Sequence, residues 1–136
     1  MIPRYSRPEM ARLWSQDAKY DAWLKVELAV CEVYAKRGVI PPDALGRIKA
    51  KARVDAARID EIEATTRHDV IAFLTNLEES LGADSRYVHV GMTSSDVLDT
   101  ALAIQLQHAC DVLLGDLERF RGALRALALR DRKSVV

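Results

Sequence analysis

The chain has 136 residues, 49% of them hydrophobic and 29% charged, with 20 Lys plus Arg balancing 20 Asp plus Glu. It is long enough to bury a real core as one domain, and its composition is that of a soluble globular protein, not a disordered one. A formal net charge of zero predicts no broad attraction to nucleic acid or to an anionic membrane, although Arg4 and Arg7 form a local pair suited to a small anion.

Helical periodicity runs through nearly the whole chain. An extended start from Met1 to Pro8 leads into a short helix over Glu9 to Ser15. A second helix opens at Asp17; Ala22, Trp23, Val26, Leu28, Ala29, Val30, Val33 and Tyr34 recur at three- and four-residue intervals, and Gly38 ends it. Pro41, Pro42 and Asp43 turn the chain into a short helix through Lys51. Asp55 is a plausible N-cap for the next helix, with Ile59 and Ile62 inward. The period breaks at Thr65 to Arg67, and a helix over Asp69 to Leu81 carries Val70, Phe73, Leu74 and Leu77 before Gly82 closes it.

Ser85 to Gly91 is the one stretch that does not read as helix: Tyr87, Val88 and Val90 are β-prone, and Gly91 frees the backbone for a tight turn. From Ser94 or Ser95 the period returns and lasts to about Arg132. Leu98, Leu102, Leu106, Ala109, Leu113, Leu117, Phe120, Leu124 and Leu127 step by threes and fours, while Ile104, Val112, Leu114 and Leu129 widen the stripe. At 1.5 Å per residue this is a rod of ~55 Å, too long for a chain of this size to cover. It requires partners, from more helices of the same chain, from other subunits, or from both. The last residues, Arg130 to Val136, end on two apolar side chains without a capping glycine or proline, which reads as a cut or altered tail.

Cys31 and Cys110 lie inside helix-like stretches with no metal-ligand spacing, and read as two buried thiols in a reducing compartment. The amino terminus has no apolar signal core, and no run of ~18 apolar residues suggests a membrane span. Cytoplasm is the expected location.

Three polar clusters sit at breaks between helices, where functional groups collect. The first is Arg4-Tyr5-Ser6-Arg7-Pro8-Glu9-Met10: arginine forks pair with phosphate, and a tyrosine stacks or donates. Its bland alternative is a frayed basic terminus. The second is Thr65-Thr66-Arg67-His68-Asp69, where Thr66 can cap the helix beginning near Asp69, Arg67 can pair with an anion, and His68 titrates near neutrality. Asp69 need not touch the His68 ring, since adjacent helical residues point apart. The bland alternative is a solvent-facing cap with an incidental histidine. The third runs from His89 to Asp96. Gly91 turns the chain, then Thr93, Ser94 and Ser95 offer hydroxyls and backbone N–H groups at the mouth of the long helix, a cradle for carboxylate or phosphate. Ordinary capping by Ser94 or Ser95, with Asp96 complementing the dipole, is compatible with that role. His108, mid-helix, reads as a packed or surface residue.

Taken together, RYSRPEM at the start, TRHDV at residues 66–70 and HVGMTSSDVLDTA at residues 89–101 resemble the adenylosuccinate lyases of the fumarase and aspartase superfamily, over Ile2 to about Asp131. The resemblance implies an all-α fold, with an N-terminal helical domain over 1–92 and the first long helix of a central helical bundle over 93–136. It implies a β-elimination that splits adenylosuccinate into AMP and fumarate, and the analogous succinyl-carboxamide ribotide one stage earlier in purine synthesis, with no cofactor and no metal. By motif, Arg4 and Tyr5 would contact the nucleotide phosphate. Arg67, His68 and Asp69 would line the pocket, with His68 as general acid or as an orienting hydrogen-bond partner. Thr93 and Ser94 would hold a succinyl carboxylate, with His89 and Ser95 supporting from just outside. The implied partners are a small nucleotide substrate and copies of the same chain in a homotetramer, with neither nucleic acid nor membrane. Full-length members continue further and carry a Thr-His-Gly segment and a Ser-Ser-x-Met-Pro-x-Lys-x-Asn loop, neither of which occurs here, so the chain alone is expected to be inactive. The alternatives are a related lyase of argininosuccinate or carboxymuconate type, and an inert helical assembly module.

Overall fold

The computed structural model describes residues 2–131; Met1 and residues 132–136, the latter part of the expected tail from Arg130 to Val136, lie outside the described part. It holds six α-helices and no strand among the described residues: α1 (Pro8–Leu13), α2 (Gln16–Lys36), α3 (Pro42–Lys51), α4 (Ala56–Thr66), α5 (Asp69–Leu81) and α6 (Ser94–Arg130). The all-α expectation holds.

Local chemistry sets most helix ends. Pro8 opens α1 at its first turn, where a missing N–H costs no bond, so the helix starts one residue before Glu9 and ends at Leu13 instead of Ser15. The start is not fully extended either, because Pro3–Tyr5 winds into a 3-10 turn. Ser15, whose side chain accepts from the Ala18 N–H, caps α2, so that helix begins at Gln16 and not at Asp17. Asp55 caps α4 as expected, its carboxylate accepting from the Arg58 N–H at 3.1 Å. The stretch before α6 is partly wound: Gly82–Tyr87 forms a second 3-10 turn. Tyr87, Val88 and Val90 make no strand, since they find no partner strand among the described residues; Tyr87 and Val88 instead pack against Cys31, Ile40 and Ala44, while the Val90 side chain is exposed.

The core is built on one face of α2. Tyr20 and Trp23 meet Phe73 of α5, with Trp23 edge-on to Phe73 at 5.4 Å and Tyr20 stacked on it at 6.3 Å, an aromatic geometry that adds about 0.5–1.5 kcal/mol per pair beyond area burial. Ile48, Ile59, Leu77, Val97 and Ala101 close around them with at most 1% exposure. One apolar cluster thus runs from α2 across residue 92 into the first turns of α6. Cys31 is buried, but Cys110 is exposed, which corrects the expectation of two buried thiols: it follows buried Ala109 on the outward face of α6.

Helix α6 is 37 residues long. Its first half packs against α2 and α1, burying Val97, Ala101, Gln105 and Ala109, and Gln105 anchors α1 by donating to the Leu13 carbonyl at 2.8 Å. Beyond that the apolar stripe is bare: Leu113, Leu117 and Phe120 are 53%, 61% and 61% exposed. An 18-residue window of α6 reaches a mean hydropathy of 1.2, so this helix is, by length and composition, apolar enough to cross a membrane. No unbroken apolar run of that length is needed to reach that value, which qualifies the expectation drawn from the sequence.

Candidate active site

The two non-glycine residues with left-handed backbone among those described are Arg67 (φ 54°) and His89 (φ 62°), both singled out by the sequence. Such conformations persist where surrounding contacts over-determine them.

At the second cluster, Arg67 caps α4, its N–H donating to the Glu63 carbonyl at 2.8 Å. The left-handed turn reverses the chain and lets α5 begin two residues later. The cap of α5 is His68, not Thr66: His68 Nδ1 accepts from the Ile71 N–H at 3.4 Å, while the Thr66 hydroxyl donates to the His68 carbonyl at 3.3 Å. A ring that accepts at Nδ1 carries its proton on Nε2, so the half-exposed His68 presents a donor outward. Asp69 Oδ1 lies 3.6 Å from Nδ1, closer than the helical alternation suggests, and also takes the Val70 N–H at 2.7 Å. Arg67 opens onto a shallow surface with Asp60 and Glu63. Below it lies Tyr20, whose buried hydroxyl has no hydrogen-bond partner among the described residues. Burial first, then the charges of Asp60, Glu63 and Asp69, push its pKa up to about 12.

At the third cluster the N-cap of α6 is Thr93, not Ser94 or Ser95. Thr93 and Asp96 form a capping box in which Asp96 Oδ2 accepts the Thr93 N–H at 2.8 Å. The Ser94 and Ser95 N–H groups at the first turn have no helical acceptor, and their hydroxyls make no hydrogen bond to the described residues. An anion at this end would meet those donors and the positive pole of a long helix. His89 is held by Glu27, a residue the sequence reading passed over. Its backbone N–H donates to Glu27 Oε2 at 2.9 Å, and its Nδ1 lies 2.6 Å from Oε1. Glu27 falls on the buried stripe Tyr20, Trp23, Glu27, Cys31; a lone charge at that helical register was the available signal. Its negative charge adds to burial in pushing the Cys31 thiol up to about 11.

The first cluster lies elsewhere. Arg7 pairs with Asp116, which raises the guanidinium pKa and lowers that of the carboxyl. Arg4 covers the Tyr5 ring at 4.8 Å, and Tyr5 shares a cleft with Val112 and Leu113. Val112 is 18 residues along α6 from Ser94, or about 27 Å at 1.5 Å per residue. The second and third clusters are also spaced along α2, one beside Tyr20 and the other beside Glu27 and Tyr34. The chain therefore displays three partial binding surfaces and does not gather Arg4, Tyr5, Arg67, His68, Thr93 and Ser94 into one pocket. Among the described residues no group of three or more His, Cys, Asp or Glu is arranged to hold a metal ion.

The sequence model of a family described as "Lyase" matches residues 4–136. The chain is 52% identical over 136 residues to an adenylosuccinate lyase of Synechocystis sp. and 46% identical over 136 residues to one of Bacillus subtilis, covering 100% of this chain and 32% of each relative. It spans about a third of the length of these curated relatives. Among solved structures, a 3-carboxy-cis,cis-muconate lactonizing enzyme from Pseudomonas putida superposes with a TM-score of 0.83 at 30% identity, over 93% of this chain and 30% of that one. Matched from residue 4 to residue 136 and folded on the helical frame of such enzymes, the chain belongs to the lyase family.

Proposed function

We propose that this chain supplies part of the substrate site of an adenylosuccinate lyase, which eliminates fumarate from adenylosuccinate to leave AMP and acts likewise on the succinyl-carboxamide ribotide in purine synthesis. The observation that carries this reading is 42–52% identity to curated adenylosuccinate lyases, in three cases over 100% of this chain. The substrate bears a phosphate and two carboxylates. Arg4 and Tyr5 suit the phosphate, and the free donors at the start of α6, with Thr93, Ser94 and Ser95, suit a succinyl carboxylate. His68 offers its Nε2–H to the leaving nitrogen, as acid or as orienting donor, between Arg67 and Asp69.

The spacing of the three clusters supports an assembly in which different copies bring different clusters together, here a homotetramer. In that assembly residues 1–92 form the substrate-binding domain, and residues 93–136 begin the central bundle. Subunit packing also accounts for the bare stripe of α6 better than a membrane does, because Asp111, Asp116 and Arg119 would otherwise be carried into lipid. A cytoplasmic enzyme without cofactor, nucleic-acid or membrane partner fits this chemistry. The P. putida neighbour makes a carboxymuconate-type reaction the second reading, at lower identity (30%).

The test is an absorbance assay of adenylosuccinate cleavage by the 136-residue chain, beside a longer version carrying the Thr-His-Gly and Ser-Ser-x-Met-Pro-x-Lys-x-Asn segments. The short chain is expected to be silent and the longer one active, and His68→Gln in the longer one should lose on the order of 10²-fold or more in kcat. A longer chain that ignores adenylosuccinate but turns over carboxymuconate would overturn the assignment, and activity of the short chain alone would overturn the need for the further segments.

A further inference from the structure

We propose that Glu27 is a positioning residue that fixes the backbone and the ring tautomer of His89, so that the imidazole Nε2 faces the substrate side of the turn before α6; the catalytic consequence rests on the lyase reading, whereas the pairing does not.

Glu27 is 1% exposed in the middle of α2. A carboxylate at that depth persists only when its oxygens are hydrogen-bonded. Both oxygens are used, and both by one residue 62 positions away: Oε2 by the His89 backbone N–H at 2.9 Å and Oε1 by the ring Nδ1 at 2.6 Å. This two-point grip holds His89 at φ 62°, a conformation unfavourable to a residue with a Cβ, and it holds the ring in one plane. Core packing alone would be served by any apolar side chain of this size. A carboxylate aimed at both donors of one residue is a device for orientation.

The chemistry of the pair fixes the proton. An ionised carboxylate only accepts, so Nδ1 must carry hydrogen whether the ring is neutral or charged. Nε2 is then left as the working atom, and it makes no hydrogen bond to the described residues. The ring borders a cleft of about 230 Å³ shared with Ile71, Thr75, Glu78, Ser85 and Arg86. Ile71 belongs to the first turn of α5, whose cap is His68. With the Glu27 carboxylate as acceptor, the two histidines present opposite valences: His68, accepting at Nδ1, shows an N–H, and His89, donating at Nδ1, shows a lone pair when its ring is neutral. Glu27 sets the second of these.

Glutamine at position 27 makes the idea testable. Its side chain has one acceptor oxygen and one donor NH2. The His89 backbone N–H cannot change and keeps the oxygen, which turns the NH2 towards Nδ1 and forces the ring proton to Nε2. Nitrogen-15 NMR of the 136-residue protein at alkaline pH, with the His89 signal assigned by its loss in His89→Gln, is expected to show the Nδ1–H form in the wild type and the Nε2–H form in Glu27→Gln. A wild-type His89 in the Nε2–H form would overturn the proposal without any variant, as would a Glu27→Gln protein that keeps Nδ1–H. In a longer, active chain Glu27→Gln should lower kcat/KM at least tenfold at unchanged melting temperature. A switched tautomer with unchanged kcat/KM would overturn the positioning role and leave the lyase reading standing. If the longer chain without substitution cleaved no adenylosuccinate, the lyase reading would fall, while the tautomer result on the 136-residue protein would still decide the pairing.

Discussion

The Tyr34 hydroxyl donates to the Val90 carbonyl at 3.1 Å and fastens the end of α2 to the turn that leads into α6. The same hydroxyl oxygen lies 3.1 Å from the position a Cβ would take on Gly91, whose φ is 71°. One hydrogen bond and one glycine therefore shape the approach to Thr93.

Gly91→Ala meets both constraints at once, a left-handed backbone and a contact that requires the Tyr34 ring to give way. We expect it to destabilise the chain by about 1–3 kcal/mol, whereas Tyr34→Phe, which loses only the hydrogen bond, should lose about 1 kcal/mol. Urea titration of the two variants measures the order; Gly91→Ala as stable as wild type would mean that the turn rearranges freely.

Tyr20→Phe removes a buried hydroxyl with no partner among the described residues and keeps the ring stacked on Phe73 and edge-on to Trp23. Its melting temperature at neutral pH should match or exceed that of wild type. The pKa of Tyr20 is raised to about 12. Its stabilising contribution is therefore complete below the ordinary tyrosine value of about 10 and is lost as pH rises from there towards 12. Melts between those limits should show an alkaline decline in wild type that is shallower in Tyr20→Phe. A neutral-pH loss above about 1 kcal/mol would show that the hydroxyl has a partner after all.

Arg47 grips Asp84 with two bonds of 2.8 Å, joining α3 to the turn after α5, and this holds the Asp84 carboxyl below its ordinary value. A depressed folded pKa gives stability that is present above the unfolded value of about 3.9 and is lost as pH falls through the folded one. Asp84→Asn should lower the melting temperature at pH 7, and its difference from wild type should shrink as the pH drops below about 4. A gap of constant size across that range would assign the effect to packing.

The exposed stripe of α6 predicts self-association. Light scattering of the 136-residue chain should show oligomers, and Leu117→Glu with Leu124→Glu should shift them to monomer while changing monomer stability by no more than about 0.5 kcal/mol, since both residues are 49–61% exposed. A wild-type chain that stays monomeric at high concentration would remove the stripe as an assembly face.

Helix α5 was legible almost to the residue because Val70, Phe73 and Leu77 keep one period and Gly82 breaks it. The same held for the Asp55 cap and for the start of the long helix within one residue. The motifs around Arg67, His68, Thr93 and Ser94 were also visible, because their residue types and spacing lie within a few positions of the chain. The capping assignments were less so: several hydroxyls compete for each helix end, and only the local backbone decides between Thr66 and His68, or between Ser94 and Thr93.

What the sequence determined by itself is what short-range periodicity and turn chemistry control: an all-helical chain, the order of its helices, and a final helix with more apolar surface than the chain can bury. The tertiary structure alone decided which distant residues meet. Nothing local announces that Glu27 will grip His89, that Arg7 will reach Asp116, or that Gln105 will hold Leu13. Such contacts depend on how α2 and α6 lie against each other, and the summed burial of the whole core sets that packing.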